Sequence, residues 1–145
     1  MSRDALVVGI NQYENISTLR SPSEDAETLA QLLVEYGDFK VTRLPAVKDK
    51  QNNAHRVGRR SNVSLLQIED ALVKLFKPTG PNVPETAIFF FSGHGLRKER
   101  GIQEGFLATS EVNPARNSYG LSLQWLRRLL QESPVQQQIV WLDCC

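Results

Sequence analysis

Cysteine is nearly missing from this chain of 145 residues: there are two, and they are neighbours, Cys144 and Cys145. Adjacent thiols cannot frame a fold, so a disulfide-built secreted scaffold is not expected and a reducing, cytoplasmic setting is. Long apolar runs are missing as well. None approaches the roughly 18–20 residues of a spanning helix. Met1-Ser2-Arg3-Asp4 passes straight into a strand-like run, with no charged region ahead of a signal-type stretch. No membrane role is expected. Net charge is almost nil: 17 Lys and Arg against 16 Asp and Glu leave +1. That gives no electrostatic footprint for nucleic acid. Repeats and low-complexity tracts are absent too. What remains is 41% hydrophobic and 23% charged, the composition of one globular domain able to bury a core.

The pattern of apolar residues predicts alternating strands and helices. Ala5 to Ile10 is short, apolar and β-branched, and reads as a buried strand bounded by Asn11. Ser21-Pro22-Ser23-Glu24 reads as a capping box with proline at the first helical position. Ala26, Leu29, Ala30, Leu33 and Tyr36 follow at helical spacing, and Gly37 is the expected stop. Phe39 to Leu44 predicts a second strand. Pro45 to Arg60 lacks periodicity, carries Lys48, Lys50, Arg56, Arg59 and Arg60, and is expected to be an exposed basic loop. A second helix starts near Ser61 or Asn62, with Leu65, Ile68, Leu72 and Leu75 as its buried stripe. Glu85 to Phe91 is the third strand. Leu96 to Tyr119 is mixed, with a small hairpin expected around Gly105 to Thr109. A third helix, capped by Ser122, carries Trp125, Leu126, Leu129 and Leu130, and Gln138 to Leu142 is the fourth strand. Trp125 and Trp141 fall at core-like positions.

This alternation predicts an α/β fold: a mainly parallel sheet with helices on both faces. In such a sheet the loops that leave strands for helices share one edge, and ligands bind there. His94 follows the third strand, Cys144 and Cys145 follow the fourth, and Asp25 lies in the first turn of the helix after the first. One rim therefore gathers a histidine, two thiols and an acid. An imidazole beside a thiol can take its proton and make a nucleophile. Glycines on both sides of His94 let the chain turn sharply and let a substrate approach. The Gly95 amide, with the nucleophile's own, can face a developing oxyanion, an effect worth about 3–4 kcal/mol. This chemistry is acyl transfer, most simply peptide hydrolysis.

Phe91-Ser92-Gly93-His94-Gly95 resembles the histidine motif of caspase-like proteases. Leu142-Asp143-Cys144-Cys145 is similar to the cysteine motif of metacaspases and their bacterial relatives, the orthocaspases. The opening Val8-Gly9-Ile10-Asn11-Gln12-Tyr13, with Leu19 and Glu24-Asp25-Ala26, also looks like that clan's start. The resemblance implies a three-layer caspase-like fold and a cysteine endopeptidase with a Cys-His dyad. His94 becomes the general base. The family's acid stands two positions before the nucleophile, so Asp143 implies Cys145 rather than Cys144, and Cys144 is expected to be a small buried hydrophobe. Asp25 and Asp143 match the two acids that line the pocket for the residue before the scissile bond, with Ser92 close by. Paired carboxylates want a cation, so the implied substrates are proteins or peptides with Arg or Lys there, and arginine's planar fork suits two acids best.

Further expectations follow from the same resemblance. Arg56, Arg59 and Arg60 are candidates for self-cleavage of a zymogen. The family's smaller C-terminal subunit, which adds strands and closes the substrate groove, is not present in the 145 residues, so this piece alone is expected to be inactive. Glu99, Glu104 and Glu111 are too widely spaced for the six to eight oxygens calcium prefers. No cofactor and no metal site are expected.

Blander readings stand beside these. Asp25 suits a helix dipole, Asp143 can simply end a strand, and His55 is expected to be solvated. The second functional class is a caspase-fold pseudoenzyme or interaction domain. A nucleotide-binding fold is disfavoured, because Asn11-Gln12-Tyr13 stands where a glycine-rich turn would be needed.

Overall fold

A computed structural model describes residues 2–51 and 54–144. In chain order the elements are β1 (Arg3–Gly9), α1 (Pro22–Gly37), β2 (Lys40–Leu44), β3 (Ala46–Lys48), β4 (His55–Val57) and α2 (Leu65–Phe76). Then follow β5 (Thr86–Gly93), β6 (Gly95–Arg100), β7 (Ile102–Leu107), β8 (Leu121–Ser122), α3 (Leu123–Glu132) and β9 (Gln137–Cys144). Strands β2, β1, β5 and β9 pair in that order and in parallel. The expected three-layer α/β architecture is the one observed.

The inner strands β1 and β5 are covered on both faces, which is why their sequences are continuous apolar runs rather than alternating ones. Alternation still decides which face each residue serves. Leu6, Val8, Phe89 and Phe91 pack with Ile68 and Leu72 of α2 and Leu126 and Leu129 of α3. Val7 and Phe90 pack on the other face with Ala26 and Ala30 of α1. Each fully buried phenylalanine contributes on the order of 2–3 kcal/mol by leaving water. The caps of α2 and α3 hold these helices in place. Ser64 and Gln67 exchange hydrogen bonds in a capping box, and the Ser122 hydroxyl accepts from the Trp125 amide at 3.3 Å.

Several expectations give way to longer-range contacts. Ser21 makes no side-chain cap. Asn11, twelve residues before Ser23, supplies it instead: its Oδ1 accepts from the Ser23 amide at 3.0 Å and its Nδ2 donates to the Ser23 hydroxyl at 2.8 Å. Gly37 is not the left-handed stop of α1. Asp38 takes that conformation, with φ 55°, while Gly37 makes room for the Phe39 ring, which would lie 2.8 Å from a Cβ there. With Phe39 closing the helix end, Tyr36 is left 77% exposed rather than buried. The mixed segment forms a long hairpin of β6 and β7 that turns at Gly101 (φ 81°), not at Gly105 to Thr109. Trp141 is 55% exposed, and Ile139 (48%) and Val140 (36%) lie open beside it. Among the described residues β9 has a neighbour only on its β5 side. Among the described residues, too, no helix is long and apolar enough to cross a membrane.

The basic segment after β2 is not simply a loop. Strands β3 and β4 pair antiparallel and Val57 is fully buried. The anchor is Glu27 of α1, whose carboxylate accepts from the Val57 amide at 2.7 Å and from Arg43 at 3.0 and 3.3 Å. Both side chains of the ion pair are largely buried. Removing one partner from such a pair strands the other and costs about 3–5 kcal/mol. Glu27→Ala is therefore expected to lower the unfolding free energy by about 3 kcal/mol in a denaturant titration. A midpoint equal to that of the parent chain would contradict this account of the hairpin.

Candidate functional site

The carboxyl ends of β1, β5 and β9 form one rim. Across them the register aligns Gly9 with Ser92 and Ser92 with Asp143, and places Gly93 beside Cys144. Partners in a parallel ladder share a face, so Ser92 and Asp143 continue the row of Val7, Phe90 and Trp141, the face that α1 covers. The Phe90 and Trp141 rings meet edge-on at 5.4 Å in that row. Ser92 is 3% exposed, whereas Asp143 is open to solvent. Gly9 lets α1 come this close: a Cβ there would collide with the Pro22 carbonyl and lie 2.8 Å from the Ala26 Cβ. The first turn of α1, carrying exposed Glu24 and Asp25, is thus set on the end of β1 by the Asn11 cap and the bare glycine.

His94 follows β5 directly and is gripped on three sides. Its amide donates to the Tyr13 hydroxyl at 3.0 Å, and its carbonyl accepts from the Ala108 amide at 2.9 Å. Its Nε2 lies 2.8 Å from the Ser17 carbonyl oxygen. A carbonyl only accepts, so Nε2 carries a proton at this contact, and in the matching neutral tautomer the lone pair is on Nδ1. The Tyr13 ring meets the imidazole edge-on, with centroids 4.8 Å apart. Gly93 is needed because a Cβ there would stand 2.6 Å from the Tyr13 hydroxyl. Tyr13 is buried. Its pKa is pushed up to about 12 mainly by burial, with Cys144 nearby adding to the rise and the His94 amide opposing it.

The remaining predicted residues fall as follows. Gly95 opens β6, facing Leu107 in the ladder. Cys144 is exposed rather than buried, because β9 is the outer strand of the described sheet. Cys145 lies outside the described residues. Arg56 sits in β4 opposite Val47, and Arg60 is exposed. The Arg59 guanidinium is 3.7 Å from Glu24, beside Asp25, and Gln12 donates to its carbonyl at 3.4 Å. That ion pair is well solvated and worth at most about 1 kcal/mol.

The acids considered for calcium are spread over separate elements. Glu111 accepts from the Leu65 amide at the start of α2 at 2.9 Å. Glu99 contacts Arg97 at 3.4 Å, and Glu104 faces Lys98 across the hairpin. Among the described residues no group of three or more His, Cys, Asp or Glu is arranged to hold a metal ion. Sequence reasoning missed Asn11, Tyr13 and Ser17. Asn11 and Tyr13 stood within the opening motif that carries the resemblance, but nothing in the sequence pointed to their contacts with Ser23 and His94.

Residues 2–145 match the caspase domain family. The protein named Metacaspase-1 of Lodderomyces elongisporus is 32% identical over 97 residues, covering 67% of this chain and 20% of that protein. Metacaspase-1 of Scheffersomyces stipitis is 28% identical over 93 residues, 64% of this chain and 21% of that protein. The chain thus spans about a fifth of the length of these relatives. The fold is similar to the crystal structure of a Geobacter sulfurreducens protein, with a TM-score of 0.70 and 20% identity over 100% of this chain and 51% of the other.

Tyr13 makes a pH signature for this rim. Its pKa is raised when folded, to about 12 from 10.0, so the unfolded chain loses this proton first as pH rises. The contribution is therefore fully present below pH 10 and is lost as pH climbs towards 12, by about 2–3 kcal/mol. Unfolding titrations over that window should show the loss in the parent chain and a smaller one in Tyr13→Phe. Equal slopes in the two proteins would sink the assignment.

Proposed function

The chain belongs to the caspase domain family, and from that premise we propose that it carries the dyad of a cysteine endopeptidase that cleaves after Arg or Lys. The observation that supports this most directly is the state of His94. With Nε2 committed to the Ser17 carbonyl, Nδ1 is the free base, on a rim shared with the end of β9. In the proposed reaction the Cys145 thiol gives its proton to Nδ1 and the thiolate attacks the scissile carbonyl carbon. The amides of Gly95 and Cys145 face the oxyanion. The imidazolium then protonates the leaving amine, and water, deprotonated by His94, releases the acyl group. Thiol and imidazole suffice, so no cofactor is invoked.

Specificity is assigned to Asp25, Asp143 and Ser92. Ser92 and Asp143 are ladder partners on the α1 face, and the first turn of α1 brings Asp25 to the same rim. Two carboxylates there favour a cation, and arginine's fork can donate to both. Among the described residues β9 has a strand only on its β5 side, and Ile139, Val140 and Trp141 are exposed; this supports a further strand-bearing part that pairs with β9 and closes the groove, as the smaller C-terminal part of a caspase-like enzyme would. For self-processing, the segment of Arg59 and Arg60 lies outside the β3–β4 ladder, whereas Arg56 is held inside it. A protease needs extended backbone free of a ladder, so cleavage is assigned after Arg59 or Arg60.

The test uses the natural protein at its full length and an arginine-terminated fluorogenic peptide, with added calcium and with chelator. Cleavage is expected in both arms. His94→Ala or Cys145→Ala should each lower kcat by at least about a thousandfold. A Cys145→Ala protein that cuts as well as its parent would refute the dyad, and a parent protein that cuts no such peptide would leave a caspase-fold pseudoenzyme or interaction domain. Asp143→Asn or Asp25→Asn should lower kcat/KM for the arginine peptide by about tenfold or more, and cleavage after Asp instead of Arg would overturn the pocket. The 145-residue chain alone is expected to be inactive, with its β9 edge uncovered.

A further inference from the structure

Histidine in a Cys-His dyad works only if its ring is held at one angle, and the grip on His94 comes from the loop between β1 and α1. We infer that Tyr13 is the positioning residue for His94: its hydroxyl fixes the histidine backbone and its ring edge holds the imidazole on the Ser17 carbonyl. This rests on the proposed role of His94 as base and deepens it.

The geometry supports the inference in three ways. The Tyr13 hydroxyl is used twice, accepting from the His94 amide at 3.0 Å and donating to the Ala108 carbonyl at 3.3 Å. Ala108 in turn donates to the His94 carbonyl at 2.9 Å. One hydroxyl therefore closes a ring of bonds around the histidine backbone. The ring then packs edge-on against the imidazole at 4.8 Å, which limits the side-chain rotation that would carry Nε2 off Ser17. Finally, the loop is tied on both sides. The Glu14 amide donates to Ser110 at 2.9 Å and the Asn15 side chain to Val112 at 3.1 Å. The Leu19 amide donates to the Asn11 carbonyl at 2.8 Å. Tyr13 and Ser17 are thus two points of one stitched frame, and the imidazole sits between them. The high pKa of Tyr13, about 12, keeps the hydroxyl able to donate and accept together, which a phenolate cannot do.

Tyr13→Phe in the full-length protein keeps the ring and removes both bonds. A small misplacement of a catalytic group costs up to about a hundredfold, so kcat should fall by about 10- to 100-fold with KM nearly unchanged. In a Tyr13→Phe protein whose circular dichroism and thermal midpoint show it folded, the pH profile of Cys145 alkylation by iodoacetamide reads the dyad apart from any loss of structure, which would itself return the thiol to its ordinary range. Here that inflection should shift upward, towards the ordinary thiol range near 8.5, as the imidazole stops accepting the proton. Gly93→Ala crowds the same hydroxyl and should lower kcat in the parent, but cost less in a Tyr13→Phe background.

If the parent protein cleaves through His94 and Cys145 while Tyr13→Phe keeps the parental kcat and alkylation profile, the inference fails and the protease reading stands. If no variant of His94 or Cys145 changes cleavage, the Cys-His dyad itself fails, and the role of Tyr13 with it. Should Tyr13→Phe not fold, amide exchange in the unsubstituted protein decides: a protected His94 amide supports the bond, and exchange at open-loop rates overturns it.

Discussion

Strand β5 is paired on both edges at once, with β1 on one side and β9 on the other, and the rim depends on that double register. A slip of one residue would send each side chain of the strand to the opposite face. Phe89 and Phe91 would leave the α2 and α3 layer, and Ser92 would lose its place between Gly9 and Asp143. Because all four strands are parallel, the crossovers return the chain to the same edge each time. The histidine after β5, the acid at the end of β9 and the helix turn after β1 therefore meet without being near one another in sequence.

The loop after β1 converts that topological meeting into geometry. Asn11 caps α1 and fixes the turn that bears Asp25, while Tyr13 and Ser17 hold His94. One short loop thereby ties the residue assigned to specificity and the residue assigned to catalysis to a common frame. Gly9 and Gly93 serve this loop in the same way. Each omits a Cβ where another part of the chain must pass close: the Pro22 carbonyl and Ala26 at Gly9, the Tyr13 hydroxyl at Gly93. Neither glycine is there for a left-handed turn, so their value is space rather than conformational freedom.

Much of this was legible in the sequence and some was not, for a consistent reason. Apolar periodicity revealed the strand and helix order and the buried stripes of α2 and α3, and the Ser122 cap was legible beside it, because those features are local; α2, however, begins at Leu65 behind a Ser64 cap rather than near Ser61 or Asn62. The positions of His94 and Asp143 at strand ends followed from that order. The Asn11 cap, the Tyr13 clamp and the Glu27 anchor did not, because each joins residues between 12 and 81 positions apart. A single polar contact of that span leaves no periodic trace. The β3–β4 hairpin was hidden for the same reason, its one buried side chain, Val57, being too little to form a pattern. Trp141 was misread because an apolar run was taken to imply cover on both faces, and a run says nothing about which strand ends up outermost.

That outermost strand is where the remaining physical tension lies. Strand β9 carries Asp143 and Cys144, yet among the four it is the least covered, with large apolar side chains open to water and, among the described residues, a neighbouring strand only on its β5 side. Unpaired strand edges and contiguous apolar surface both invite association. A strand added along that edge would pair the exposed backbone groups, cover Trp141 and its neighbours, and hold Asp143 against drift. The histidine needs no such help, since its frame is complete within the described residues. The two halves of the proposed site thus differ in kind: the residue assigned as base is framed by the loop after β1, whereas the acid assigned to specificity lies exposed on the least covered strand of the described sheet.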